Sequence, residues 1–289
     1  MESRVDSLSA PHPEAVARAR EAVRAAGALL VTAGAGMGVD SGLPDFRGQT
    51  GFWQAYPAIA KLGISFPRMA NPSWFQRDPR LAWAFYGHRL KLYRATQPHA
   101  GFVALQEIAA SKPQGGFVLT SNVDGHFQKA GWQESLIVEC HGSIHHLQCT
   151  RPCSGEIWSA AGTRVSVDPE AFRATPPLPV CPRCGAIARP NILMFSDDAW
   201  IDGREVEQQQ RLSQWLATVR ASRARLAIIE IGAGHAVPTI RMSSEHYANL
   251  LDGVLIRINP RDFTVPHPGH VALPMGGAAG IGAIRQGLN

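Results

Sequence analysis

Five short apolar runs punctuate the chain: Ala28-Leu29-Leu30-Val31, Phe117-Val118-Leu119-Thr120, Leu136-Ile137-Val138, Ala227-Ile228-Ile229-Glu230-Ile231 and Val254-Leu255-Ile256-Arg257-Ile258. Short, apolar and rich in β-branched residues, each predicts a buried strand. Helical stretches separate most of them. The first 27 residues read as an arm followed by a helix, with Pro11 and Pro13 as entry signals and Gly27 as the stop. This alternation predicts an α/β fold built on a doubly wound parallel sheet.

The residues that follow the runs are small or polar: Gly34-Ala35-Gly36, Ser121-Asn122-Val123-Asp124, His141-Gly142-Ser143, Gly232-Ala233-Gly234 and Asn259-Pro260. Ligands of open parallel sheets bind beyond the carboxyl ends of the strands, so these five groups are expected to converge on one crevice. Two segments break the α/β rhythm. Phe52 to about Arg89 is rich in Pro, Trp and Phe and turns helical after Asp78-Pro79, a capping residue followed by proline at the first helical position. Cys149 to Arg189 carries two cysteine pairs and several prolines. Both read as insertions that form a smaller, second lobe.

Composition adds exclusions. At 289 residues with 45% hydrophobic content the chain can fill a sizeable core, so it is not a disordered protein. Its 28 Lys and Arg against 23 Asp and Glu give a net charge of +5. The basic residues are scattered, with loose clusters only at Arg18 to Arg24 and Arg220 to Arg225, so no direct nucleic-acid binding is expected. No run approaches the roughly 20 apolar residues of a membrane span, and the start lacks an apolar targeting segment; a cytoplasmic protein with no membrane partner is expected.

Four of the five cysteines form two close pairs, Cys149-x3-Cys153 and Cys181-x2-Cys184. In a reducing compartment this spacing points to one structural zinc ion held by four thiolates, with an unmetallated thiol cluster as the other reading. Cys140 falls outside the spacing and reads as a buried strand-end residue. Gly34 and Gly36 would let the backbone approach a pyrophosphate and present N–H groups to it, although Val39 stands where a third glycine would complete the dinucleotide fingerprint, and an ordinary tight turn gives the same pair. Asn122 and Asp124 could hydrogen-bond ribose hydroxyls, a carboxamide or a water, or serve as turn-forming residues. His141 is the best-placed general base, because an imidazole titrates near neutral pH; His145 and His146 are its rivals.

The order of these segments carries a resemblance. Gly34-Ala35-Gly36 running through Ser41-Gly42-Leu43-Pro44-Asp45-Phe46-Arg47, then Thr120-Ser121-Asn122-Val123-Asp124, Glu139-Cys140-His141-Gly142-Ser143, two cysteine pairs and Asn259 resembles the sirtuin family of NAD-dependent protein deacylases, from about residue 27 to 275. The resemblance implies a Rossmann-type NAD-binding domain over 1–51, 90–148 and 190–289, a small lobe of helices and zinc module over 52–89 and 149–189, and acyl-lysine side chains of proteins as substrate. Ala35 and Gly36 would line the pyrophosphate and ribose region, with Gly34 and the block Gly232-Ala233-Gly234 also at the cofactor. Asp45, Phe46 and Arg47 would belong to a mobile cofactor loop, Phe46 shielding the reacting ribose carbon. Ser121 and Asn122 would stand by the ribose, Asn122 positioning a water or hydroxyl; Asp124 would bind the nicotinamide carboxamide and Asn259 the adenosine ribose. The implied chemistry has the acyl oxygen attack the anomeric carbon as nicotinamide leaves. His141 then takes a proton from a ribose hydroxyl, and the acyl group ends on ADP-ribose.

Several positions depart from the family pattern. Ala33 and Gly38 replace hydroxyl residues, Ser121 replaces a glutamine, His126-Phe127 stands for Leu-His, Gly234 ends a block that commonly reads Gly-Thr-Ser, and Phe195-Ser196-Asp197 stands for Phe-Gly-Glu. These losses keep open a sirtuin-like ADP-ribosyltransferase or NAD hydrolase. Tyr86 and Arg89, three apart on one predicted helix face, match the Tyr-x-x-Arg of sirtuins that accept succinyl or malonyl lysine; surface snorkelling of the arginine is the plainer reading. Phe52 to Ala70 could cover or narrow that acyl pocket.

Overall fold

The central runs bury both faces because helices cover the sheet they form on either side. In a computed structural model, which describes residues 13–44 and 48–288, every residue of β1 (Ala28–Ala33), β2 (Gly116–Thr120) and β3 (Ile137–Glu139) is buried. Four strands of irregular length follow, β4 (Gly142–Cys149), β5 (Ile157–Ser159), β6 (Val167–Asp168) and β7 (Arg173–Ala174). Then come β8 (Ala188–Ile192), β9 (Leu226–Ile231), β10 (Val254–Ile258) and β11 (Val271–Leu273). Six of these make one parallel sheet in the order β11-β10-β9-β1-β2-β3. All five predicted runs lie in it. The sixth strand, β11, is only three residues long and its sequence carries no comparable apolar run.

Chain order runs outward from β1 in one direction through β2 and β3, and in the other through β9 to β11. The connections after β1 and β9 therefore depart to opposite sides, and a crevice opens between them at the carboxyl edge. Alternation along β1 divides its side chains between two cores. Leu29, Val31 and Ala33 pack with helices Pro13–Ala25, Ala100–Ala110 and Gly277–Arg285, whereas Ala28 and Leu30 pack with helices Gly203–Ala221 and Thr239–Leu250.

A third apolar cluster gathers residues of both interruptions around helix Pro79–Ala95 and the antiparallel sheet β5-β4-β8. Asp78 caps that helix as its sequence predicts, its Oδ1 accepting the Leu81 N–H at 3.0 Å with Pro79 in the first turn. The Trp83 indole N–H donates to Ala188 O on β8 at 2.9 Å, which joins helix to sheet. Phe52 to Ala70 folds as three short helices, and Phe52, Tyr56 and Ile59 are buried against Phe85 and its neighbours. Among the described residues no helix is long and apolar enough to cross a membrane.

The parallel sheet contains one charged pair. Glu230 on β9 stands beside Arg257 on β10 in register, and both are at most 1% exposed. Arg257 donates Nε and Nη2 to the two Glu230 oxygens at 2.6 and 2.9 Å, and Nη2 also meets Glu245 at 2.8 Å. Its Nη1 donates to Thr264 O, and neighbouring Arg241 donates to Asp262 O at 2.6 Å and Thr264 O at 3.2 Å. The network thus fixes the loop beyond β10 to the sheet. Removing one partner strands the other charge in a medium that solvates it poorly. Glu230→Gln is expected to cost about 3–5 kcal/mol of stability, read as a shift in the urea midpoint, and a Glu230→Met/Arg257→Met double variant is expected to recover much of it.

Candidate active site

The site begins where two backbones touch. Gly34 and Gly36 after β1 lie against Gly232 and Ala233 after β9: the Gly36 N–H donates to Gly232 O at 3.0 Å, and the Gly34 N–H to Ile231 O at 2.9 Å. A Cβ on Gly232 would fall 2.4 Å from Gly36 Cα, and one on Gly34 would fall 2.8 Å from Ala233 Cα. Gly232 also has a φ of +63°, a left-handed conformation that favours glycine. The sequence reading expected Gly34 and Gly36 to offer their N–H groups to a pyrophosphate. The structure corrects this: both amides are committed within the fold, and it is at Gly34 and Gly232 that the loop-to-loop approach leaves no room for a Cβ. Gly38 differs, since a Cβ there would come within 2.9 Å only of Leu43 Cδ1, the tip of a flexible side chain.

Asn122 locks the β2 loop to this contact. Its Nδ2 donates to Gly34 O at 2.9 Å, and its N–H donates to Thr120 Oγ1, which in turn donates to Ala33 O. Asn259 plays a comparable part after β10. Fully buried, it donates Nδ2 to Ala233 O at 2.8 Å and accepts the Arg261 and Asp262 N–H groups at 3.0 Å. It holds the loops that form the site and does not itself line the cavity, a difference from the ribose contact expected for it.

The cavity so formed has a volume of about 1040 Å³. Gly34, Ala35, Gly232, Ala233 and Gly234 line one part of it, and Ser121, Asn122, Asp124 and His141 another. Tyr86 and Arg89 reach the same space from helix Pro79–Ala95. Gly36 does not line it. Asp45, Phe46 and Arg47 lie outside the described residues, while Pro44, immediately before them, is at the wall.

His141 occupies the turn between β3 and β4, where its carbonyl accepts the Leu193 N–H at 3.0 Å. Burial holds its pKa below the usual histidine value, so the imidazole is neutral at pH 7. The two rivals face elsewhere. His145 Nε2 contacts Asp124 O at 2.8 Å, and His146, driven to about 4 by burial and then by Arg204, joins His145 at a smaller groove. Asp124 combines both roles open to it in sequence: Oδ1 accepts the His126 N–H at 2.9 Å as a turn residue, and the side chain borders the cavity. Cys140 is inert, its thiol pushed up to about 12 by burial.

At the far end Tyr86 is 1% exposed, and its hydroxyl has no hydrogen-bond partner among the described residues. Arg89 is 7% exposed, with Nε and Nη2 both donating to Tyr93 Oη, at 3.0 and 2.7 Å. It does not snorkel to the surface. Ser65, Phe66, Pro67 and Ala70, from the interruption after Phe52, also contribute to the wall. Sequence reasoning missed Tyr93, which lies four residues beyond Arg89 and so shares its helix face, and also Met194, His235 and Arg261 at the wall. Phe195-Ser196-Asp197 reaches the cavity through Phe195. Ser196 has a φ of +54°, a conformation in which the family's glycine would be unstrained, and Asp197 is buried in a bidentate pair with Arg189 at 2.6 and 2.9 Å.

The four paired cysteines meet away from the cavity wall. Cys149 and Cys184 sulfurs are 3.6 Å apart, those of Cys153 and Cys181 are 3.7 Å apart, and all four fall within 4.8 Å of one another. A tetrahedral zinc ion with bonds of about 2.3 Å sets its sulfurs about 3.8 Å apart, so the set could hold one. Gly185, at φ +70°, makes the turn that lets its N–H donate to Cys181 O at 2.9 Å. With four sulfurs an ion has no open position, which makes its part structural. Cys181→Ser is expected to abolish stoichiometric zinc, measured by plasma mass spectrometry, and to lower the thermal midpoint, as is prolonged chelation of the unaltered chain.

Comparison with known proteins follows the same segments. The model of the Sir2 family matches residues 34–216. An NAD-dependent protein deacylase of Pyrococcus furiosus is 33% identical over 164 residues, 57% of this chain and 59% of that protein. The mitochondrial NAD-dependent protein deacylase sirtuin-5 of Canis lupus familiaris is 30% identical over 184 residues, 59% of this chain and 56% of its own. The matched region thus spans less than two thirds of these relatives' length. Among solved structures, a Sir2 homologue in complex with NAD superimposes with a TM-score of 0.67 at 24% identity, covering 93% of this chain and 94% of the other. A variant Sir2 homologue with ADP-ribose gives a TM-score of 0.68 at 23% identity, with the same coverage. The fold is shared across nearly the whole chain, and the family match runs from the first glycine loop through the His141 turn and the cysteine module: the chain belongs to the Sir2 family.

Proposed function

We propose that this chain is an NAD-dependent protein-lysine deacylase of the cytoplasm, acting on acylated lysine side chains and releasing nicotinamide, lysine and O-acyl-ADP-ribose. One observation carries the reading: a neutral histidine, the glycine loops of the switch point and an Asn/Asp pair all border one cavity. The parallel-sheet part, over 1–51, 90–148 and 190–289, would supply the cofactor side, and the small part, over 52–89 and 149–189, the zinc module and acyl side.

The cavity suits NAD. Its volume of about 1040 Å³ is ample for a dinucleotide's reacting half, and Ala35, Ser121 and Gly234 border it with small residues that admit close approach. When bound, NAD supplies an electrophilic ribose carbon with nicotinamide as its leaving group. His141, held neutral by burial, accepts a proton at an imidazole nitrogen from a hydroxyl presented in the cavity. Asn122, its Nδ2 already fixed on Gly34 O, orients a water or hydroxyl through its oxygen. Asp124, with Oδ1 committed to His126, offers its second oxygen to a carboxamide N–H. Apolar Leu43, Val123, Ile192 and Met194 at the wall exclude stray water. Tyr86 and Arg89 at the acyl end support succinyl or malonyl lysine as substrates alongside acetyl lysine, the guanidinium pairing with the acyl carboxylate.

A second reading, an ADP-ribosyltransferase or NAD hydrolase, draws on the missing hydroxyls at Ala33 and Gly38 and on Gly234. Nicotinamide release with and without acylated peptide, with mass spectrometry of the NAD-derived product, separates the two. Release that depends on peptide and yields O-acyl-ADP-ribose supports deacylation; equal release without peptide overturns it. His141→Ala is expected to lose at least about a hundredfold in deacylation rate. Because the neutral form is the active one and its pKa lies below 6.5, the rate should rise with pH through a midpoint below 6.5 and be flat across neutral pH. An acidic limb centred above pH 7 would exclude this base. Arg89→Met should depress kcat/KM for succinyl and malonyl peptides at least about tenfold more than for the acetyl peptide, as loss of a charge-assisted pair requires.

A further inference from the structure

Asp124 borders two spaces at once. One is the main cavity, and the other is a smaller groove of about 390 Å³ onto which Gly125, His145 and His146 also open. A wall residue with space on both sides cannot rely on packing alone for its position, so hydrogen bonds must fix it. Its Oδ1 accepts the His126 N–H at 2.9 Å, from the helix that follows. Two further bonds come from β4, at the carbonyls on either side of its peptide plane: the Ile144 N–H donates to Val123 O at 3.0 Å, and His145 Nε2 meets Asp124 O at 2.8 Å.

The strand can reach this loop because its pairing with β8 shifts register between Ser143 and Leu147. Such an irregularity re-aims the side chains within it. Here it brings the His145 ring against Gly125, where a Cβ would fall 2.7 Å from the ring's Cδ2 and 2.9 Å from its Nε2. Gly125, at φ +72°, turns the chain sharply after Asp124 and leaves its carbonyl open to the imidazole. A carbonyl oxygen only accepts, so Nε2 carries the proton in this contact. The strand that starts directly after His141 thus also grips Asp124, and one element sets the spacing of the two groups.

We propose that His145 is the positioning residue that holds Asp124 at the cavity wall, and so sets how tightly the carboxamide end of NAD, and the nicotinamide released from it, are bound. The inference rests on the deacylase reading and on Asp124 as the carboxamide partner. His145 acts through Asp124 alone, in keeping with its place at the groove and not at the main cavity.

The test is peptide-dependent turnover of the full chain with added nicotinamide, for the unaltered protein, His145→Gln, His145→Asn and His145→Leu, with thermal midpoints measured alongside. Glutamine can set an amide N–H where Nε2 stands. Asparagine, a methylene shorter, cannot span to the carbonyl, and leucine has no donor. His145→Asn and His145→Leu should each raise the nicotinamide inhibition constant and the KM for NAD about fivefold, the effect of losing one neutral hydrogen bond, with kcat changed less than about twofold. His145→Gln should restore both constants to near those of the unaltered chain. A merely structural role would lower the thermal midpoint and the active fraction, and with it kcat, without moving the inhibition constant. Unchanged inhibition in the asparagine and leucine variants, or equal weakening in all three, overturns the role of His145 while leaving the deacylase reading intact. Nicotinamide that fails to inhibit the unaltered chain overturns Asp124 as the carboxamide partner and this inference together.

Discussion

Everything at the site depends on two loops approaching within backbone contact. The strand order places β1 and β9 side by side, and their following segments must diverge from adjacent points on the sheet edge. Gly34 and Gly232 allow them to do so at distances that a Cβ on either would forbid. Once the loops meet, the carbonyls of Gly34 and Ala233 become fixed acceptors. Asn122 and Asn259 grasp them from β2 and β10, so four strand ends are tied to one small knot of backbone. The cavity is the space that remains on its open side.

Small residues give closeness but no rigidity, and buried ion pairs supply it. Glu230–Arg257, extended by Glu245 and Arg241, reaches from the middle of the sheet to the carbonyls of Asp262 and Thr264, next to wall residue Arg261. Arg189–Asp197 does the same under Phe195: the carboxylate also accepts the Met194 N–H at 3.2 Å, holding a segment that contains a left-handed serine. Such pairs add little net stability over apolar replacements, yet they permit only one arrangement of the loops they join. The cysteine module, clear of the cavity wall, continues this division: it closes the excursion between β4 and β8, two strands of the sheet that carries His141 at its start.

The end of the cavity beside helix Pro79–Ala95 is built on a different principle. It comes from one face of one helix, where Tyr86, Arg89 and Tyr93 follow at intervals of three and four. Arg89 is buried among rings and donates to a phenol oxygen. The interruption from Phe52 to Ala70 makes this possible by covering the helix with Phe52, Tyr56 and Phe66, which takes the arginine out of water and strengthens whatever electrostatic contact it makes.

By itself the sequence determined the parallel sheet, the convergence of small and polar groups at its carboxyl edge, the Asp78 cap and the four-cysteine set. Each depends on local pattern: apolar runs, residues immediately beyond them, and close spacing along the chain. Tertiary structure alone decided which of His141, His145 and His146 borders the cavity, because only the packing of distant loops shows which of them meets the glycine segments. It also decided that Gly34 and Gly36 serve loop contact and that Asn259 is a brace, since both depend on what another, distant loop places opposite them. The three-residue strand β11 and the partnership of Glu230 with Arg257 belong here too. A charge within each of two apolar runs is visible in the chain, but only strand pairing brings the two charges into register.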